Sequence, residues 1–145
     1  MTNNPYIGVI SFMHYKMRHV YVGLDLHKAH HTAVVINCWN ERLGEIQIEN
    51  KPSAFDELMK FVKKHTPKEM TPVYGLEDTG GNGRALAVYL VEKKQIVKEV
   101  NSALSYNERM SNATTQKSDS WDAYCIAKVL LARLDDLPVS PPDYN

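Results

Sequence analysis

The sequence is poor in cysteine, has no long apolar run and carries no surplus of either charge. Its two cysteines, Cys38 and Cys125, stand far apart with no Cys-x-x-Cys pairing. That excludes a disulfide framework and a cysteine zinc site, and reduced thiols in a cytoplasm are the expectation. The longest apolar stretch near the start, Tyr6 to Met13, falls far short of the ~20 residues of a membrane helix. No basic residue precedes it, as one would in a secretory signal. Lys plus Arg number 17 and Asp plus Glu number 17, for a formal net charge of zero. Overall charge therefore cannot be how the protein finds nucleic acid, although a local basic face is still allowed. Gly80, Gly81 and Gly83 lack the Gly-Lys-Ser/Thr that completes a phosphate loop.

What is present is ordinary for a globular chain: 145 residues, 43% hydrophobic and 23% charged, a common single-domain size and composition. His19 to Leu26 is β-rich and nearly all apolar, as a strand buried on both faces would be. His31 to Asn37 reads as a second strand, and Glu45 to Glu49 alternates as a third, more exposed one. A helix follows Pro52, with Ser53 and Asp56 at capping-box spacing. Its apolar side is Phe55, Leu58, Met59 and Val62, opposite Lys60, Lys63 and Lys64. Pro72 to Glu77 is a short buried strand, a helix carries Leu86 to Val91, and Ile96 to Val100 is a fifth strand. Residues 101–116 read as polar and irregular. A last helix begins near Ser118 or Asp119. The order is β-β-β-α-β-α-β-loop-α, which argues for a mixed α/β sheet with an antiparallel meander on one side.

Four acids stand out by position. Asp25 and Glu77 end apolar strands, where acids are rare unless paired or ligating. Neighbouring strand ends also form the functional crevice of α/β sheets. Asp119 and Asp122 are three apart at a helix start and share a face. If all four converge, their repulsion would keep several protonated unless divalent cations intervene. Hard oxygen donors suit Mg²⁺ or Mn²⁺, and paired ions assist phosphodiester cleavage. Plainer roles are open: Asp119 as helix N-cap with Asp122 at N3, and Asp25 and Glu77 as turn residues at strand ends.

Three blocks carry a resemblance: Val22-Gly23-Leu24-Asp25-Leu26-His27-Lys28, Leu76-Glu77-Asp78-Thr79-Gly80-Gly81-Asn82-Gly83 and Lys117-Ser118-Asp119-Ser120-Trp121-Asp122-Ala123. Over roughly residues 19–137 the chain resembles the DEDD transposases of bacterial insertion sequences, relatives of the pilin-gene invertase. The resemblance implies a ribonuclease H-like, RuvC-like fold. It implies that Asp25, Glu77, Asp119 and Asp122 are a catalytic, metal-binding tetrad using Mg²⁺ or Mn²⁺. DNA is the implied partner, with a structured guide RNA and a homo-oligomer, in the cytoplasm and without a membrane. Longer family members are implied to carry a C-terminal domain with a serine nucleophile, which nothing after Pro138 resembles. The expected layout is an extension over 1–18, the catalytic domain over 19–137 and a linker-like tail over 138–145.

Lys28, Arg84 and Lys117 lie near the acids in sequence and are candidates for nucleic-acid contact, with Lys128 behind them. Lys60, Lys63, Lys64 and Lys68 form a denser stripe, which reads as a solvated helix face. His27, His30 and His31 crowd one turn. Their spacing is poor for a convergent zinc site, so exposed turn residues are expected. Trp121 should point away from the acids and pack at a contact.

Overall fold

The computed structural model describes residues 15–78, 80–111 and 118–139. Lys117 and parts of the expected extension and tail lie outside these. A five-stranded sheet in the order β3-β2-β1-β4-β5 forms the centre. Its strands are β1 (His19–Leu26), β2 (His30–Ile36), β3 (Arg42–Glu49), β4 (Thr71–Glu77) and β5 (Ile96–Glu99). β1, β2 and β3 run antiparallel as the expected meander, while β4 and β5 add in parallel. The helices are α1 (Pro52–Lys64), α2 (Arg84–Glu92), α3 (Ser102–Met110) and α4 (Asp119–Ala132). No helix of the described residues is long and apolar enough to cross a membrane.

Strand periodicity divides the core. Val20, Val22, Leu24 and Leu26 of β1 face α1 and α2, where Phe55, Leu58, Val62, Leu86 and Leu90 are buried with them. Alternate residues point to the other face, where Tyr21, Val34, Ile36 and Val73 meet Ala123, Ile126, Ala127 and Leu130 of α4. That face decides the site. The parallel register sets Tyr21 beside Val73, Gly23 beside Gly75 and Asp25 beside Glu77. Going up the two central strands, the α4 side thus presents two bulky residues, two glycines, then two carboxylates. The glycine level lets α4 lie almost on the sheet: a Cβ on Gly23 would fall 2.1 Å from the Ala123 carbonyl oxygen and 2.4 Å from the Ala127 nitrogen.

Two local readings are corrected. Ser53 and Asp56 form no capping box; α1 starts at Pro52, with Lys51 as an N-cap that makes no side-chain cap bond. Proline needs no partner for its missing N–H at a first helical position, so it sets the start. Residues 102–110, read as irregular, are α3. Its N-cap is Asn101, whose side chain accepts from the Ala103 N–H at 2.7 Å. Cys38 and Cys125 are free thiols, the latter on the buried side of α4.

Candidate active site

The four acids come from three elements. Asp25 and Glu77 are the last α4-facing residues of adjacent parallel strands. Asp119 and Asp122 occupy the first turn of α4. Ser118, not Asp119, is the N-cap; its hydroxyl accepts from the Trp121 N–H at 3.1 Å. Both aspartates are therefore free of capping duty and sit at the positive end of the helix dipole. Side-chain exposure rises from 11% for Glu77 and 14% for Asp25 to 33% for Asp122 and 41% for Asp119. The group is thus open on the helix side and closed on the sheet side.

Two side chains bridge the acids. His27 Nε2 lies 2.9 Å from Asp25 Oδ2 and 3.4 Å from Asp119 Oδ1. Arg109 reaches from α3, with Nη1 3.7 Å from Glu77 Oε2 and Nε 3.8 Å from Asp122 Oδ1. Ser105, one turn before Arg109 and fully buried, donates its hydroxyl to Glu77 Oε2. Burial pushes the Glu77 carboxyl above its usual range, and Asp25 and Asp122 add to this against Ser105 and Arg109. Burial likewise raises Asp122, with Asp25 and Asp119 adding and Arg109 opposing. The hydrogen bond to Asp25 is the main cause that raises His27.

The chemistry of this donor set suits a hard divalent cation, while among the described residues the ligand atoms that already lie within 4.8 Å of one another are those of His27, His30 and Asp119. The four acids offer carboxylate oxygens from three elements, and two of those carboxylates are costly to ionise as they stand. Arg109 offsets that cost between Glu77 and Asp122. Arg109→Gln should therefore lower metal-free stability by about 1 kcal/mol. It should also enlarge the rise in melting temperature caused by Mg²⁺, since the arginine and the ion neutralise the same charges; thermal unfolding with and without Mg²⁺ checks both.

Other expected contributors divide. Lys28, in the β1–β2 turn, and Arg84, at the start of α2, are exposed on the surface. Lys117 lies outside the described residues. Lys128 is instead engaged in packing α3 on α4: Nζ is 3.8 Å from Glu108 Oε2 and 5.5 Å from the Tyr124 ring centre. Trp121 rests half-buried against Tyr124, ring centres 5.6 Å apart. The expectation of exposed turn histidines fails at His31, which is fully buried in β2 with its Nδ1 accepting from the His27 N–H at 3.3 Å, while His27 and His30 stay about two-fifths exposed and lie against Asp119. Ser105 and Arg109 were missed because their segment was not read as a helix. Asn101 at a cap position was the available signal.

The family model for DEDD transposases of the IS110 type, described as transposase, matches residues 22–145. No curated protein matches significantly. Among solved structures, the chain is similar to T. thermophilus RuvC in complex with Holliday junction substrate. The TM-score is 0.57 at 14% identity, over 83% of this chain and 98% of that one. The architecture is thus RuvC-like, of the ribonuclease H type.

Proposed function

The chain belongs to the DEDD transposase family of the IS110 type, and from that membership we propose that it cleaves and transfers DNA strands through Asp25, Glu77, Asp119 and Asp122 holding Mg²⁺ or Mn²⁺. The observation that carries the proposal is that four carboxylates, from β1, β4 and α4, are linked in pairs above a paired-glycine step, Asp25 with Asp119 through His27 and Glu77 with Asp122 through Arg109. When bound, divalent ions in such a donor set activate a nucleophile and stabilise a leaving oxygen in phosphodiester cleavage.

The protein's own part is to prepare that charge and geometry. The sheet fixes Asp25 and Glu77 side by side. The positive end of the α4 dipole lies at Asp119 and Asp122. Ser105 holds one Glu77 oxygen, and Arg109 holds Glu77 and Asp122 together while leaving Asp119 accessible. Lys28 and Arg84, both exposed, would meet phosphates, as would Lys117, which directly precedes the Ser118 cap in sequence. A DNA strand is the substrate this reading favours: Asp119 and Asp122 are one-third or more exposed, and Glu77 lines an open cleft of about 790 Å³ beside them. RuvC, a protein of the same fold, is seen with a branched DNA substrate. The family resemblance extends the reading to a structured guide RNA, self-association and a cytoplasmic location. The catalytic domain then spans 19–137, between an N-terminal extension and a linker-like tail.

The test is a cleavage assay on four-way-junction and linear duplex DNA with Mg²⁺ or Mn²⁺. Nicking that requires the metal and disappears in Glu77→Gln supports the proposal. Nicking that survives in both Glu77→Gln and Asp122→Asn would overturn it.

A further inference from the structure

The β1–β2 turn carries two imidazole donors that the four-carboxylate reading does not use. The His27 and His30 rings stack with centroids 5.2 Å apart and planes 29° from parallel. Their Nε2 atoms approach different oxygens of one carboxylate: His27 lies 3.4 Å from Asp119 Oδ1 and His30 lies 3.2 Å from Asp119 Oδ2. One ligand atom from each of the three residues lies within 4.8 Å of the other two. Ligand bonds of about 2.0–2.1 Å in a tetrahedral nitrogen and oxygen site put neighbouring donors roughly 3.3 Å apart. Both measured separations already have that spacing.

The chemistry of the donors differs from that of the four acids. Two imidazoles and one carboxylate form a borderline set, preferred by transition ions, whereas Mg²⁺ favours oxygen alone. Three protein donors leave positions open for water or a phosphate oxygen. All three side chains are about two-fifths exposed, so ions in solution can reach them. The site is also held in place from behind. The His27 N–H donates both to Nδ1 of the buried His31 at 3.3 Å and to the His30 carbonyl oxygen at 3.1 Å, which closes the turn.

We propose that His27, His30 and Asp119 form a binding site for a borderline divalent transition ion such as Zn²⁺, Co²⁺ or Mn²⁺, next to the carboxylate centre and sharing Asp119 with it. The sharing rests on the metal role of Asp119 proposed above; the histidine site itself does not need Glu77 or Asp122. Two consequences follow. Zn²⁺ engages Asp119 from the histidine side and competes with Mg²⁺-dependent activity. Mn²⁺ suits both donor sets and supports activity at lower concentration than Mg²⁺.

The probe is Co²⁺ alone, titrated into the intact chain and followed by the visible absorption of the bound ion. Saturable binding should weaken by about tenfold or more in His27→Ala and in His30→Ala, and stay within about twofold of wild type in Glu77→Gln. Circular dichroism verifies that each variant is folded, and His30→Gln serves if His30→Ala is not. Absence of saturable Co²⁺ binding in the wild-type chain would overturn the proposal. So would wild-type affinity in the His30 variants, or loss of Co²⁺ binding in Glu77→Gln. Co²⁺ binding through the histidines in a chain that shows no response to Mg²⁺ would support this site while counting against the carboxylate centre, so the two readings fail separately.

Discussion

Gly23→Ala is expected to destabilise the protein by at least about 3 kcal/mol, the upper range for overpacking a core. The added methyl would sit 2.1 Å from the Ala123 carbonyl oxygen and 2.4 Å from the Ala127 nitrogen. Both are backbone atoms of α4, so no rotamer change relieves the clash and the whole helix must move. Gly75→Ala makes the matched control. It is the cross-strand neighbour of Gly23 on the same face, but its methyl would meet side-chain carbons, 3.1 Å from Leu130 Cδ2 and from Val100 Cγ2. Those side chains can shift, and a cost nearer ~1 kcal/mol is expected. Urea unfolding of the two variants measures the difference. Gly23→Ala should also impair function more than its lost stability accounts for. Asp119 and Asp122 ride on α4, and an ångström of displacement separates them from Asp25 and Glu77. Equal costs at the two positions would mean that α4 is not as close to β1 as described.

The second large effect is chemical. Glu77→Gln keeps the shape of the side chain and an oxygen that can still accept from Ser105, but removes the charge. Strand cleavage should fall by roughly 10³-fold or more, the scale expected when charge stabilisation in the transition state is lost. The same change should leave the metal-free protein as stable as wild type or slightly more so. Burial already holds the Glu77 carboxyl above its usual range, so its ionised form weighs against folding near neutral pH. The sign follows from proton linkage: a carboxyl raised on folding binds its proton more tightly when folded, and a permanently neutral amide escapes the penalty. A variant that loses activity and keeps its stability separates a functional carboxylate from a structural one. If Glu77→Gln lost both together, the residue would be mainly a packing element.

Much of this arrangement was legible in the sequence, for definite reasons. Asp25 and Glu77 end nearly continuous apolar runs, and a charge there is conspicuous against its background. The meander and the parallel strands followed from alternation and from the helices between them. What was not legible depended on contacts between distant segments. The α3 segment, with Asn, Ser and Tyr among its nine residues, has little apolar periodicity, so its helix rests on the Asn101 cap and on packing against α4. Ser105 and Arg109 were lost with it. Three histidines in a turn do not converge by themselves; two of them do so here because Asp119, which is 89 residues beyond His30, closes the set from another element. Gly23 looked like one more member of an apolar strand. Its importance comes from the helix above it. Ser118, one residue before Asp119, took the cap that the sequence left open between them.

The central claim is that four carboxylates form one centre for a hard divalent ion, and the Mg²⁺ dependence of the melting temperature tests it most directly. Ten-millimolar Mg²⁺, about tenfold over a millimolar dissociation constant, would stabilise the folded wild-type chain by ~1.4 kcal/mol. That corresponds to a rise of roughly 3–5 °C against a control of matched ionic strength. The rise should vanish in Asp25→Asn, in Glu77→Gln and in Asp122→Asn, while His30→Ala retains it. A wild-type melting temperature indifferent to Mg²⁺, or an undiminished rise in all three carboxylate variants, would contradict the account.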